Sequence, residues 1–64
     1  MLKRTFHLTI GTRTWRVPME HWYAVYDQVD AIWQHGHGGL WFPTRNGRDV
    51  YVFIDRTTPV TLHG

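Results

Sequence analysis

An Asn-Gly dipeptide at positions 46 and 47 separates two runs of large apolar residues, LWFP before it and DVYVFID after it. Asn-Gly is the strongest short-range hairpin signal, because a two-residue type I′ turn needs positive φ at both central positions. That turn sets Arg45 opposite Arg48, Pro43 opposite Val50, Phe42 opposite Tyr51, Trp41 opposite Val52 and Leu40 opposite Phe53. Side chains alternate across a strand. One face of the expected ribbon therefore carries Trp41, Pro43, Val50, Val52 and Ile54, and the other carries Leu40, Phe42, Tyr51 and Phe53. Both faces are apolar, and a single short helix covers only one of them. The second face is expected to be a surface for binding or assembly.

The chain has 64 residues and forms one domain, residues 1–64. A chain of this size buries only about 60% of the surface its unfolded form exposes, and small domains usually add a staple of some kind. Cysteine is absent, which excludes disulfides and thiolate zinc sites. Oligomerisation, a metal on histidine and carboxylate, or dense aromatic packing is left, and an aromatic content of 16% with four Trp favours the first and the last, since each large ring buries about 150–250 Å².

The net charge of +2 is mild, but it is unevenly placed. The expected helix, residues 18–34, holds Glu20, Asp27 and Asp30 and no Lys or Arg. The strands and turns hold all seven basic residues against Asp49 and Asp55. The opening residues, MLKRTFHLTI, lack a long apolar run and a small-residue cleavage site. They read as a strand and not a signal peptide. No apolar run approaches the roughly 20 residues of a membrane span, so a soluble, cytoplasmic protein with no membrane partner is expected.

Residues 2–10 alternate, with Leu2, Phe6, Leu8 and Ile10 on one face and Lys3, Thr5, His7 and Thr9 on the other. Gly11-Thr12 fits a two-residue turn with Gly first, pairing Leu8 with Trp15, Phe6 with Val17, Thr9 with Thr14 and His7 with Arg16. Pro18 suits the first helical position, where its missing N–H costs nothing. Met19, Trp22, Val25, Tyr26, Val29, Ile32 and Trp33 then recur at spacings of three and four, a broad apolar stripe. The glycine-rich segment HGHGG, residues 35–39, ends the helix with a left-handed cap and a loop. Pro59 opens a last short strand over residues 60–62 and marks it as an edge. The expected fold class is α+β, in the order β-β-α-β-β-β. One antiparallel sheet of four or five strands carries the helix packed across one face.

Chemistry has little material. The chain has neither Ser nor Cys, and its threonines, Lys3 and carboxylates sit in no nucleophile motif. Asp27 and Asp30 read as a solvated helix face, and the glycines at 36, 38 and 39 follow a helix, the wrong context for a phosphate-cradling loop. No enzyme activity and no cofactor are expected. His35 and His37 lie close in sequence, and His21 lies along the same helix flank as His35. These imidazoles are weak candidates for a metal, because a closed zinc site wants four ligands at defined distances.

The tail DVYVFIDRTTPVTLHG, a strand, a short Pro-containing turn and a strand ending in Gly, follows a hairpin and one helix. In this it resembles short uncharacterised proteins of actinobacteria and their phages. The bias to Arg over Lys, six to one, agrees with a GC-rich source. The resemblance implies a small β-rich fold and supplies no site residues.

The expected function is therefore binding. The interface residues are Leu40, Phe42, Tyr51 and Phe53, with Arg45 and Arg48 at the turn. The expected partner is a second copy of the chain, giving a homodimer, or a foreign protein, in an accessory or regulatory role. The same residues also describe a second possibility, a single-stranded nucleic-acid platform in which bases stack on rings and arginines meet phosphates.

Overall fold

The first hairpin forms in the expected register. A computed structural model describes residues 4–64, so the expected strand positions Leu2 and Lys3 lie outside the described residues. Strands β1 (Thr5–Ile10) and β2 (Arg13–Pro18) pair antiparallel with Leu8 opposite Trp15 and Phe6 opposite Val17. Gly11, at φ +62°, takes the first turn position. The inward residues Phe6, Leu8, Ile10 and Val17 are buried. On the outer face the Thr9 and Thr14 hydroxyls meet at 3.0 Å.

The helix starts later than expected. Pro18 ends β2, a 3₁₀ turn follows at Met19–His21, and α1 runs Trp22–His35. The turn is held by the Met19 N–H donating to the Arg4 carbonyl at 2.9 Å. The apolar stripe is also narrower than expected. Val25 and Ile32 are buried and Trp22 and Val29 pack beside them, while Tyr26 and Trp33 are more than half exposed. At the C-terminus Gly36 adopts φ +96° and its N–H reaches the Ile32 carbonyl at 2.7 Å, the expected left-handed cap. Arg56 completes this end. Its Nε donates to the Trp33 carbonyl at 2.8 Å and its Nη2 to that of Gln34 at 3.2 Å, with the guanidinium 5.7 Å from the Trp33 ring centroid. A cation at that position also complements the helix dipole.

The loop expected at residues 35–39 is mostly strand. β3 (His37–Pro43) begins directly after the cap and pairs antiparallel with β4 (Asp49–Asp55). Here the register departs by one residue from the two-residue turn. Phe42 faces Val50, Trp41 faces Tyr51, Leu40 faces Val52 and Gly38 faces Ile54. The only positive φ in the turn is at Gly47, +87°, and Asn46 does not adopt one. The Gly47 N–H donates to the Thr44 carbonyl at 2.9 Å, and the Thr44 N–H to the Arg48 carbonyl at 2.7 Å. This is a three-residue loop, a tight turn followed by a left-handed glycine. Thr44 is buried, and its hydroxyl lies within hydrogen-bonding reach of the Asn46 side-chain oxygen and the Arg48 carbonyl.

A one-residue slip moves one strand's whole set of side chains to the opposite face. Leu40, Phe42, Val50, Val52 and Ile54 now share the inner face, and Trp41, Tyr51 and Phe53 share the outer one. Leu40 and Phe42, expected on a binding face, are fully buried. The slip sorts the aliphatics inward and leaves aromatic rings outside.

The five strands form two sheets, not one. β5 (Val60–His63) pairs with β1 on the side away from β2, giving the order β2-β1-β5, and β3-β4 stands as a separate ribbon. The Arg45 N–H donates to the Arg16 carbonyl at 2.9 Å, tying the ribbon's turn to β2. Inner residues of both sheets and of α1 share one core, with Phe6 edge-on to Trp22 at 4.9 Å and Trp15 edge-on to Phe42 at 5.3 Å. Gly38 lets the helix close down on the ribbon, since a Cβ there would lie 3.0 Å from Ile32 Cγ1. Among the described residues no helix is long and apolar enough to cross a membrane.

Gln28 explains why β3 gains no further strand. Its amide donates to the Trp41 carbonyl at 2.9 Å and accepts from the Trp41 N–H at 3.0 Å, occupying the ribbon's free edge as a neighbouring strand would. Gln28→Ala should cost about 1–2 kcal/mol, the worth of two such bonds, measured from the urea midpoint. Gln28→Glu accepts but cannot donate and should fall between the two. An unchanged midpoint in Gln28→Ala would contradict this role.

The turn after β4 is held by a carboxylate. Asp55 Oδ1 accepts from the Thr57 hydroxyl, from the Thr57 N–H at 2.8 Å and from the Thr58 hydroxyl at 3.3 Å. The Thr57 hydroxyl and then the Thr57 N–H hold its pKa below the ordinary carboxylate value, with Thr58 adding to them and desolvation opposing. A depressed folded pKa contributes stability that is present above the unfolded value, about 3.9, and is lost as pH falls through the lower folded value. The Thr57 amide resonance should therefore titrate in acid below that unfolded value. Asp55→Asn should abolish the titration.

Candidate functional site

The outer face of the β3-β4 ribbon carries a continuous aromatic row. Trp41 is 41% exposed, Tyr51 70% and Phe53 71%. The register sets Trp41 directly against Tyr51, and Phe53 against Gly39. Glycine leaves a vacancy on the pleat, and the Tyr51 phenol lies over it, where any Cβ on Gly39 would collide with the ring. Beyond it His37 stacks on Phe53 with centroids 6.0 Å apart and planes 28° from parallel. His37, Phe53, Tyr51 and Trp41 thus form one surface. His37 and Phe53, already stacked, lose little conformational freedom on further burial.

Large side chains on α1 are exposed as well, but differently. Tyr23 and Tyr26 stand on the helix, and the Trp33 ring lies beneath the Arg56 guanidinium. The ribbon face alone presents its rings as a row fixed by strand register.

Of the expected interface residues, Tyr51 and Phe53 lie on this row and Leu40 and Phe42 lie beneath it in the core. Arg45 and Arg48 lie elsewhere. They line a cleft of about 780 Å³ between the ribbon's turn and β2, together with Arg13, Trp15 and Arg16. Arg13 and Arg16 escaped the sequence reading. Alternation in RTWR puts Arg13 on the face of β2 that bears Trp15 and Arg16 on the opposite face, so the strand alone gave no sign that both would line one cleft. Trp41 was assigned to the opposite face because of the register slip.

His35 and His37 line a common groove of about 230 Å³ that includes Gln28, Ile32 and Gly39. His21 is not part of it and lies 3.7 Å from the Glu20 carboxylate. Among the described residues no three His, Asp or Glu side chains converge as a metal would require.

No protein-family model, no curated protein and no solved structure matches the chain.

Proposed function

We infer that the protein is a small, non-enzymatic binding module that self-associates by stacking the outer β3-β4 faces of two copies. The observation carrying this reading is the exposure of Trp41, Tyr51 and Phe53 together on the outer face of the two-stranded ribbon. Monomers rarely leave such apolar surface to water, and aromatic residues are the types enriched where surfaces meet. Two such faces stacked about 10 Å apart make a sandwich, and a two-fold axis lets each row meet its own copy.

The free edge of β4 is the competing route, and its charges disfavour it. Among the described residues no hydrogen bond reaches the main chain of Tyr51 or Phe53 from that side. Antiparallel pairing of two β4 strands about Val52 would join those groups, but it would also set Asp49 of each copy opposite Asp55 of the other. Like charges directly opposed are unfavourable, and edge charges of this kind discourage strand addition. The face is the better surface. It suits an accessory or regulatory protein that works by assembly, and a foreign protein would use the same rings.

An NMR dilution series tests this. Resonances of His37, Gly39, Trp41, Tyr51 and Phe53 should shift with concentration while those of Tyr23 and Tyr26 stay fixed. Concentration-independent spectra, or movement confined to the helix, would overturn it.

A further inference from the structure

We propose that the cleft between β2 and the β3-β4 turn binds the phosphodiester backbone of a single-stranded nucleic acid. Arg13, Arg16, Arg45 and Arg48 line it with one carboxylate, Asp49. Among the described residues none of these guanidiniums forms an ion pair; the contact between opposite charges is that of His21 with Glu20. The bond from Arg45 N–H to the Arg16 carbonyl holds the two arginine-bearing segments together at 2.9 Å. The four arginines therefore border one cleft, Arg13 from the face of β2 that bears Trp15 and Arg16 from the other, and none is ion-paired among the described residues, which favours an anion carrying several charges.

The residue type and the floor of the cleft narrow the ligand. Guanidinium forks match phosphate oxygens in a bidentate way that an ammonium does not. Arg13 lies 5.0 Å from the centroid of the Trp15 ring, and Trp15 is in turn edge-on to Phe42, so a planar cation is presented on a fixed indole. Unpaired bases stack on aromatic rings and on guanidinium planes alike. Thr14, Thr44 and Asn46 add polar lining. A volume of about 780 Å³ exceeds what one phosphate fills and falls within the range of organic-ligand sites. Duplex DNA fits less well. The major groove admits a helix or a two-stranded ribbon; α1 carries Asp27 and Asp30 with no Lys or Arg, and the outer face of the β3-β4 ribbon carries Trp41, Tyr51 and Phe53 in place of cations.

This site lies off the aromatic row and stands whether or not two copies associate. Fluorescence anisotropy of a labelled oligothymidine, measured across salt concentration, tests it. Saturable binding is expected, with log affinity falling linearly against log salt. Arg45→Gln with Arg48→Gln, both at exposed positions, should weaken binding at least about tenfold and flatten the slope by roughly 1.4, about 0.7 for each lost phosphate contact. Arg4→Gln, outside the cleft, should leave the slope unchanged. The proposal is overturned by absent binding at low salt or by equal loss in Arg4→Gln. Displacement by tripolyphosphate or by duplex at the same phosphate concentration would overturn it equally.

Discussion

Phe42→Ala should cost about 3–5 kcal/mol, the usual loss for emptying a buried phenylalanine site. The ring is wholly inaccessible and stands edge-on to Trp15 at the seam between ribbon and first sheet. For 64 residues, total stability is on the order of 3–10 kcal/mol at roughly 0.05–0.15 kcal/mol per residue. This one substitution should therefore remove a large part of it. Tyr51→Ala should cost under about 1 kcal/mol, because it removes an exposed cross-strand partner of Trp41 and no core volume. The two-residue turn would have placed both rings on one face; the three-residue loop separates them. Urea unfolding followed by circular dichroism reads the contrast. Equal costs for the two variants would contradict the observed register.

Replacing Tyr51 and Phe53 together by Lys should weaken self-association by about 100-fold or more, about 2.8 kcal/mol at 1.4 kcal/mol per factor of ten. In a two-fold interface each substitution acts twice, removing rings and setting ammonium groups against one another. Both side chains project from the outer face, so the secondary structure should be unchanged by circular dichroism. Sedimentation velocity of the double variant should show a single slow species where the unsubstituted protein shows a faster one. A variant that sediments like its parent would place the contact elsewhere on the molecule.

The two hairpins differ in how legible they were, for a physical reason. In the first, polar Thr5, His7 and Thr9 alternate with Phe6, Leu8 and Ile10, so only one register keeps the apolar set together. In the second, both faces are apolar, and a slip by one residue exchanges one greasy partner for another. Asn46-Gly47 serves a two-residue loop or a three-residue loop ending in glycine. The choice is fixed by Thr44, whose burial and hydrogen bonds depend on the folded ribbon. The helix cap at Gly36 was local and readable. Its clamp by Arg56, more than 20 residues away, was not. The Gln28 amide that occupies the edge of β3 likewise looked like an ordinary polar flank.

The division into two sheets follows the same pattern. Alternation tells which side of a strand is apolar and says little about which strand lies beside it. Segregation of charge was visible along the sequence, yet bringing Arg13 and Arg16 to Arg45 and Arg48 needs β2 and the ribbon's turn to meet. The α+β class with one helix among antiparallel strands, the helix's acidic side and the presence of an exposed aromatic face were readable; the 3₁₀ turn before the helix was not. The membership of that face was not.

Light scattering of the unsubstituted protein, with its mass followed from micromolar to millimolar concentration, tests the outer aromatic face most directly. The mass should approach twice the 7.6 kDa protomer at the upper end and fall towards one protomer on dilution. A mass of one protomer throughout would mean that Trp41, Tyr51 and Phe53 face water in the working protein, and would contradict the account.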